Sequence, residues 1–250
     1  MADNRPFDRK PAPTLGDALA ERGISRRSFL KFASYTASIM ALPPGAASAM
    51  AEGLAAARRQ SVIWLSFQEC TGCTESITRA KAPSIEDLIF DFISLDYHHT
   101  LQAASGHAAE AAREAAMEEN FGNYIMVVDG SIPLGNPGYS TIAGISNVDM
   151  LMDTAKGAAA VISVGSCAAF GGIPGAYPNP TGAVPISDII TDKPVINISG
   201  CPPIPEAMTG TIAYLLSFAG IPELDHLGRP KAFYGEAIHD RCYRRPFYEK

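Results

Sequence analysis

Two cysteines, Cys70 and Cys73, stand three positions apart in the segment FQECTGCTES at residues 67–76. A Cys-x-x-Cys pair serves three kinds of chemistry: a redox-active dithiol, half of a zinc site, or half of an iron–sulfur site. Two further cysteines follow in glycine-rich and proline-rich surroundings, Cys167 in GSCAAFGG and Cys201 in GCPPIP. The chemistry therefore depends on whether these four thiols can meet.

The spacing of the four cysteines favours an iron–sulfur site. A redox dithiol needs only the Cys-x-x-Cys pair and leaves Cys167 and Cys201 unexplained. A structural zinc site usually presents two close pairs, whereas this chain has one pair and two solitary cysteines. Buried thiols that only fill the core would explain single positions but not all four. A four-cysteine [4Fe–4S] site fits best, with the dithiol and the zinc site left open as alternatives.

A weaker pattern lies near the C-terminus, where IHDRC places His239 three positions before Cys242. His-x-x-Cys alone is as consistent with two surface residues as with two metal ligands. The other histidines show no such spacing and are expected to be surface or hydrogen-bonded side chains. No glycine-rich phosphate loop of the G-x-G-x-x-G or G-x-x-x-x-G-K-[ST] type is present.

Short apolar runs alternate with helical segments from Ser61 onward, which is typical of β-α-β units in a mostly parallel sheet. The expected strands are residues 61–67, 90–97, 124–130, 159–165 and 194–199. The expected helices are residues 84–90, 105–120, 146–157 and 205–219. The apolar strands lack strict alternation, as expected where helices cover both faces of a sheet. We predict an α/β fold, an open doubly wound, flavodoxin-like domain over residues 61–222.

The cysteines follow three of these strands. Cys70 and Cys73 come after the first, Cys167 after AAVISVG, and Cys201 after PVINIS. Ligands of open α/β sheets bind in the crevice outside the carboxyl ends of the strands. Glycines around Cys167 let the backbone approach a bulky group, and two prolines after Cys201 fix its loop. We therefore expect the four thiolates to converge at one edge of the sheet.

Composition excludes some classes of partner. The 250 residues carry a net charge of −6, with 47% hydrophobic residues. This suits one or two domains with a sizeable core. No broad basic face is available to neutralise phosphates, so we expect no nucleic-acid partner.

The N-terminus carries the marks of export. SRRSFLK at residues 25–31 is typical of a twin-arginine signal, and Ala47-Ser48-Ala49 is a signal-peptidase type of site. We predict an export signal over residues 1–49, a linker over 50–60, and a mature protein in the periplasm or on the outer face of the cytoplasmic membrane. The uncharged run 32–51 is broken by prolines, so no transmembrane helix is expected. Because the twin-arginine route carries folded proteins, often with a metal cofactor inserted, reduced thiolates are compatible with export.

Five stretches in the same order resemble the small subunit of membrane-bound or periplasmic uptake [NiFe] hydrogenases. They are ECTGCTES at 69–76, VDGSIP at 128–133, GSCAAFGG around Cys167, GCPP at 200–203, and GRPKAFYGEAIHDRC at 228–242. The resemblance covers nearly the whole chain. It implies an electron-transfer subunit whose partner, a separate large subunit, holds the Ni–Fe centre that splits H2. A membrane cytochrome b is a candidate further partner.

The resemblance also implies roles for individual residues. Cys70, Cys73, Cys167 and Cys201 would hold the proximal [4Fe–4S] cluster. The first two ligands of a distal [4Fe–4S] cluster would be His239 and Cys242. Glu69 matches a family glutamate, and a carboxylate there could transfer a proton or hydrogen-bond across the subunit interface. No residue of this chain is expected to cleave H2 itself.

Two departures from the family pattern qualify these expectations. Oxygen-tolerant members carry extra cysteines where this sequence has Gly72 and Ser140, so the ordinary four-cysteine type is expected. The family also continues past IHDRC into a cysteine-rich domain, so residues 223–250 would be the start of an incomplete, irregular cluster-binding domain in a C-terminally truncated chain. The alternatives are the iron–sulfur subunit of a quinone-reductase-type complex, which typically shows adjacent cysteines, and a zinc-stabilised binding module.

Overall fold

The computed structural model describes residues 14–21, 26–56, 59–81 and 83–249. Its strands are β1 Gln60–Ser66, β2 Ile93–His98, β3 Tyr124–Asp129, β4 Ile132–Pro133, β5 Thr141–Ile142, β6 Ile145–Ser146, β7 Ala158–Val164, β8 Ala183–Val184 and β9 Val195–Ile198. Its α-helices are α1 Leu15–Glu21, α2 Arg26–Ile39, α3 Ala46–Ala56, α4 Gly72–Ile77, α5 Ile85–Asp87, α6 His107–Glu119, α7 Asn147–Ala155, α8 Gly165–Phe170, α9 Gly172–Gly175, α10 Pro205–Phe218, α11 Lys231–Tyr234 and α12 Arg245–Tyr248. A π-helical turn spans Leu88–Phe92, and 3-10 turns span Pro137–Tyr139 and Ile186–Asp188.

The centre of the fold is a five-stranded sheet in the order β2-β1-β3-β7-β9. All four neighbouring pairs are parallel. This is the strand order of flavodoxin-like doubly wound folds, with a change of direction between β1 and β3. The predicted α/β class and the mostly parallel sheet are confirmed.

Helices cover both faces of the sheet, which explains the uninterrupted apolar strands. On one face Trp64, Val127 and Ile162 share a register row and pack in a core with α2, α3 and α10. On the other face Leu65 and Met126 lie in a second core, which includes residues of α6 and α7. Every residue of β3 is buried. The central strands are therefore a well-packed platform for the loops at their ends.

The second predicted strand begins later than the sequence indicates. A capping box starts α5, in which Ser84 and Asp87 exchange hydrogen bonds between side chain and backbone. The π-helical turn then continues this helix to Phe92, which is buried. Residues 90–92 are consequently helical, because local capping outweighs the apolar pattern that predicted strand.

The N-terminal segment packs on the sheet domain where it is described. The predicted linker 50–60 includes the end of α3, whose Met50 and Leu54 are buried against α10 and its neighbours. Most of that segment is therefore helix rather than linker, because its apolar side chains find a place in the core. Residues 1–13 and 22–25 of the predicted export signal lie outside the described residues. Across the described ranges, no helix combines the length and the apolar character that crossing a bilayer requires.

Candidate functional site

The four cysteines follow the carboxyl ends of three parallel strands. Cys73 lies in the first turn of α4, soon after β1, and Cys167 lies in α8, which begins directly after β7. Cys201 lies in the loop between β9 and α10. Parallel strands place their carboxyl ends at one edge of the sheet, so these three loops meet there.

Hydrogen bonds join the segments that carry the thiols: Cys73 Sγ donates to Val164 O at 3.8 Å, and Ser166 N donates to Gly200 O at 2.8 Å. Burial raises the pKa of Cys73, and the nearby charges of Asp129, Cys167 and Cys70 raise it further. Burial also raises the pKa of Cys167, where Cys201, Asp129 and Cys70 act in the same direction. Cys73 is buried and Cys167 is half-buried, whereas Cys70 and Cys201 are exposed. The structure thus brings the four predicted ligands together at a site that opens to the surface.

Glycine backbone lies directly against three of the sulfur atoms. A Cβ atom on Gly165 would stand 2.4 Å from Cys73 Sγ, and one on Gly172 would stand 2.6 Å from Cys167 Sγ. A Cβ atom on Gly72 would stand 3.2 Å from Cys70 Sγ. The distances at Gly165 and Gly172 are shorter than any real contact of a Cβ atom. A larger residue at either position would therefore displace the sulfur atom beside it.

This donor set fits a four-cysteine cluster. In the part of the chain that the structure describes, no three His, Cys, Asp or Glu side chains converge closely enough to hold a single metal ion. A [4Fe–4S] cluster is a larger group that is held by four cysteine thiolates. Four thiols on loops at one sheet edge, with glycine backbone lying directly against three of the sulfur atoms, match that requirement.

Asp129 is a site residue that the sequence analysis missed. It is the last residue of β3, only 1% exposed, and it interacts with the thiol of Cys73. Burial raises the pKa of Asp129 to about 7, with a further increase from the nearby Glu69. A charged residue that closes the otherwise apolar strand YIMVVD was the available signal, since that strand end faces the ligand edge.

Glu69 is half-buried beside the first cysteine. Thr71 Oγ1 donates to Glu69 Oε1 at 3.3 Å, while the buried Oε2 atom has no hydrogen-bond partner among the described residues. Burial raises the pKa of Glu69 above its usual range. The side chain therefore keeps one free acceptor oxygen at the edge of the cysteine site.

The predicted distal ligands lie in the C-terminal segment rather than at a strand end. His239 is exposed and Cys242 is half-buried, in turns between α11 and α12. Their backbones are joined by a hydrogen bond from Cys242 N to His239 O at 3.3 Å. Their assignment as cluster ligands stays a prediction.

His98 confirms the expectation of a satisfied side chain. It is buried, with Nδ1 accepting from the backbone N–H groups of Thr100 and Leu101 at 3.1 and 3.4 Å. Its ring lies 5.1 Å from that of Trp64. Burial lowers the pKa of His98 to about 4, so the ring is neutral at physiological pH.

Comparison with known proteins assigns the family. The family model described as "NADH ubiquinone oxidoreductase, 20 Kd subunit" matches residues 70–215, a range that contains all four cysteines. This chain belongs to that family. It is 48% identical over 237 residues to the uptake hydrogenase small subunit of Azotobacter vinelandii, covering 94% of this chain and 66% of that protein. It is also 48% identical over 240 residues to the same kind of subunit from Afipia carboxidovorans, covering 96% of this chain and 65% of that protein.

Solved structures agree with these relatives. The Ni-Fe-Se hydrogenase of Desulfomicrobium baculatum matches with a TM-score of 0.73 and 34% identity, covering 77% of this chain and 76% of the matched chain. The resemblance to hydrogenase small subunits is thereby confirmed. This chain spans 66% and 65% of the lengths of the two curated relatives above.

Proposed function

We propose that this chain is the electron-transfer small subunit of a [NiFe] hydrogenase. It would relay electrons from H2 oxidation at a partner large subunit through a proximal [4Fe–4S] cluster. The observation that carries the proposal is the convergence of Cys70, Cys73, Cys167 and Cys201 at one sheet edge, in a chain 48% identical to uptake hydrogenase small subunits. The iron–sulfur subunit of a quinone-reductase-type complex and a zinc-stabilised module are the alternatives, and the identity of these relatives favours the hydrogenase.

The side chains of the site suit a bound iron–sulfur cluster. A bound cluster would supply the redox chemistry, and the chain's own residues would hold it and limit access of water. Burial disfavours a free thiolate at Cys73, so the positive charge of bound iron would be needed to keep that sulfur deprotonated. Gly165 and Gly172 let the backbone lie directly against the sulfur atoms of Cys73 and Cys167, which would be two of the ligands.

The large subunit is the proposed partner, and the surface around the site supports it. Cys70 and Cys201 are exposed at this edge. Near them, Phe170, Ile173 and Ile204 expose 44%, 78% and 61% of their surface. An exposed apolar surface around a redox site is typical of an interface that another chain covers. A membrane cytochrome b remains a candidate further partner.

We propose Glu69 as a residue that accepts a proton or hydrogen-bonds across that interface. Its free Oε2 atom is the supporting observation. Glu69→Gln should lower H2 turnover while leaving the iron content unchanged. Glu75→Gln is the matched control, because Glu75 is an exposed carboxylate on the neighbouring helix that pairs with Arg79 at 2.6 Å. Unchanged turnover in Glu69→Gln would remove this role.

We also propose that His239 and Cys242 belong to a distal cluster site whose other ligands lie in a longer chain, as the IHDRC motif suggests. Export by the twin-arginine route to the periplasm or the outer face of the cytoplasmic membrane is likewise a proposal. It is supported by SRRSFLK at residues 25–31. Replacing Arg26 and Arg27 by lysine should retain the protein in the cytoplasm, which cell fractionation would detect. Unchanged export of that variant would contradict this route.

The function is tested by co-expression with a hydrogenase large subunit from the same organism. The purified pair should reduce an artificial electron acceptor in the presence of H2. Cys167→Ser should strongly slow that reduction while the two subunits still co-purify. A chain that is colourless, holds one zinc ion and supports no H2-dependent reduction would establish the zinc-stabilised alternative instead.

A further inference from the structure

The loop that carries Cys201 has few ways to be held in place. Pro202 and Pro203 follow the cysteine and have no backbone N–H groups. Gly200 precedes it in a conformation that favours glycine, with φ +143°. The loop must therefore be fixed mainly through its carbonyl oxygens, which need donors from other parts of the fold.

Two serines supply donors from the other cysteine-bearing segments. Ser166 donates to Gly200 O twice, from its backbone N at 2.8 Å and from Oγ at 3.1 Å. Ser76 is 5% exposed, and its Oγ donates to Pro203 O at 2.6 Å. These bonds hold the chain on both sides of Cys201.

A tyrosine supplies a third donor from the C-terminal segment. Tyr234 Oη donates to Ser199 O at 2.7 Å. Burial raises the pKa of Tyr234 to about 12, so the phenol keeps its proton and remains a donor at neutral pH. Arg229 lies over the ring at 5.4 Å and pairs with Asp225 at 2.7 Å, which fixes the orientation of the ring.

The hydrogen bonds of the two serines connect the loops that carry the proposed ligands. Ser76 lies on α4, the helix that also carries Cys73. Ser166 directly precedes Cys167 on α8. Each hydrogen bond therefore connects the Cys201 loop to a segment that carries another ligand.

We propose that Ser76, Ser166 and Tyr234 are positioning residues for Cys201, and that they set how firmly the fourth thiolate holds the cluster. This inference rests on the proposed cluster site. None of the three touches the cluster position as a ligand. Removing a donor would leave a loop carbonyl unsatisfied and let the exposed Cys201 move away from the other three thiolates.

The test compares Ser76→Ala with Ser61→Ala in the full chain, purified without air together with its large subunit. Ser61 is an equally buried serine at the opposite edge of the sheet, where its Oγ donates to Asp96 Oδ2 at 2.5 Å. The readouts are the rate at which an iron(II) chelator bleaches the visible absorption and the electron paramagnetic resonance spectrum of the reduced protein.

Ser76→Ala should lose its cluster about five to ten times faster than wild type, as expected for one hydrogen bond with a buried acceptor. Its resonance spectrum should shift, since one ligand has gained freedom. Ser61→Ala should match wild type in both readouts, and Ser76→Thr, which keeps the hydroxyl donor, should recover most of the lost retention.

Tyr234→Phe supplies a second comparison if Ser76→Ala fails to fold. Its control is Tyr124→Phe, because the Oη of Tyr124 likewise donates to a backbone carbonyl, Thr154 O, at 2.5 Å. Faster bleaching of Tyr234→Phe than of Tyr124→Phe supports the inference. Equal bleaching in both pairs of variants, with a cluster present in wild type, overturns it. A wild-type chain that binds no iron overturns the proposed function and this inference together.

Discussion

Replacing Gly165 by alanine should remove the cluster through a single methyl group. The added Cβ would stand 2.4 Å from Cys73 Sγ, whereas ordinary contacts lie at about 3.5 Å or more. The sulfur must therefore move by about 1 Å, which is twice the tolerance of about 0.5 Å within which functional sites are held. The backbone cannot relieve this contact easily, because Gly165 directly continues the buried strand β7.

Backbone strain has to be separated from the contact with sulfur. Gly165 has φ +85°, and an L-residue in that region costs about 1–2 kcal/mol. Gly122 is the matched control, because its φ is +82° and no atom lies within 4 Å of its added Cβ. Gly122→Ala should therefore lose a similar amount of stability while keeping its cluster.

The assay is the iron and sulfide content of each anaerobically purified variant, together with its paramagnetic resonance spectrum after reduction. Gly165→Ala should contain little iron or show an altered cluster, and Gly122→Ala should resemble wild type. A Gly165→Ala variant with the iron content and spectrum of wild type would refute the reasoning, since it would show that Cys73 Sγ is not needed at its present position.

Three further predictions follow from other parts of the fold. Burial lowers the pKa of His98 to about 4 in the folded chain, whereas the side chain has its usual pKa of about 6.5 in the unfolded chain. Between these two values the unfolded chain therefore binds a proton that the folded chain does not. The free energy of unfolding should thus fall by about 2 kcal/mol from pH 7 to pH 5 in denaturant titrations, and His98→Gln should remove that part. Ile173→Asp, beside the cysteine site, should weaken co-purification with the large subunit at least about tenfold by charging an apolar contact, whereas Met152→Asp on α7 should not. Arg113→Met should cost about 2 kcal/mol in thermal or chemical unfolding, because it removes the buried guanidinium that forms a 3.1 Å ion pair with the half-buried Glu110.

The sequence predicts the sheet because strands that are buried on both faces are uninterrupted apolar runs. The run YIMVVD becomes β3 with every residue buried, and the cysteines follow the strand ends as expected. The start of β2 was not predictable from apolar pattern alone, since FDF continues a capped helix before the strand begins. Helix α3 was not predicted, because an alanine-rich apolar run after a twin-arginine motif is also typical of an export signal, which does not pack on the mature fold.

The features of the site that the sequence does not predict are contacts between residues that are far apart in the chain. Ser76 and Pro203 are 127 positions apart, and nothing local to either residue indicates their hydrogen bond. Asp129 and Cys73 are likewise far apart in the sequence, and nothing local to either residue indicates that their side chains interact. The placement of the four cysteines could be predicted from the strands that they follow, whereas the bonds that position their loops needed the tertiary structure.

The central claim is that four cysteines of this chain hold a [4Fe–4S] cluster. Mössbauer and paramagnetic resonance spectra of the iron-57-labelled, anaerobically purified complex test it most directly, with Cys201→Ser as the comparison. Wild type should show a reducible [4Fe–4S] signal that is lost or changed in Cys201→Ser. A signal that is identical in the two proteins, or a wild-type chain that holds zinc and no iron, would contradict it.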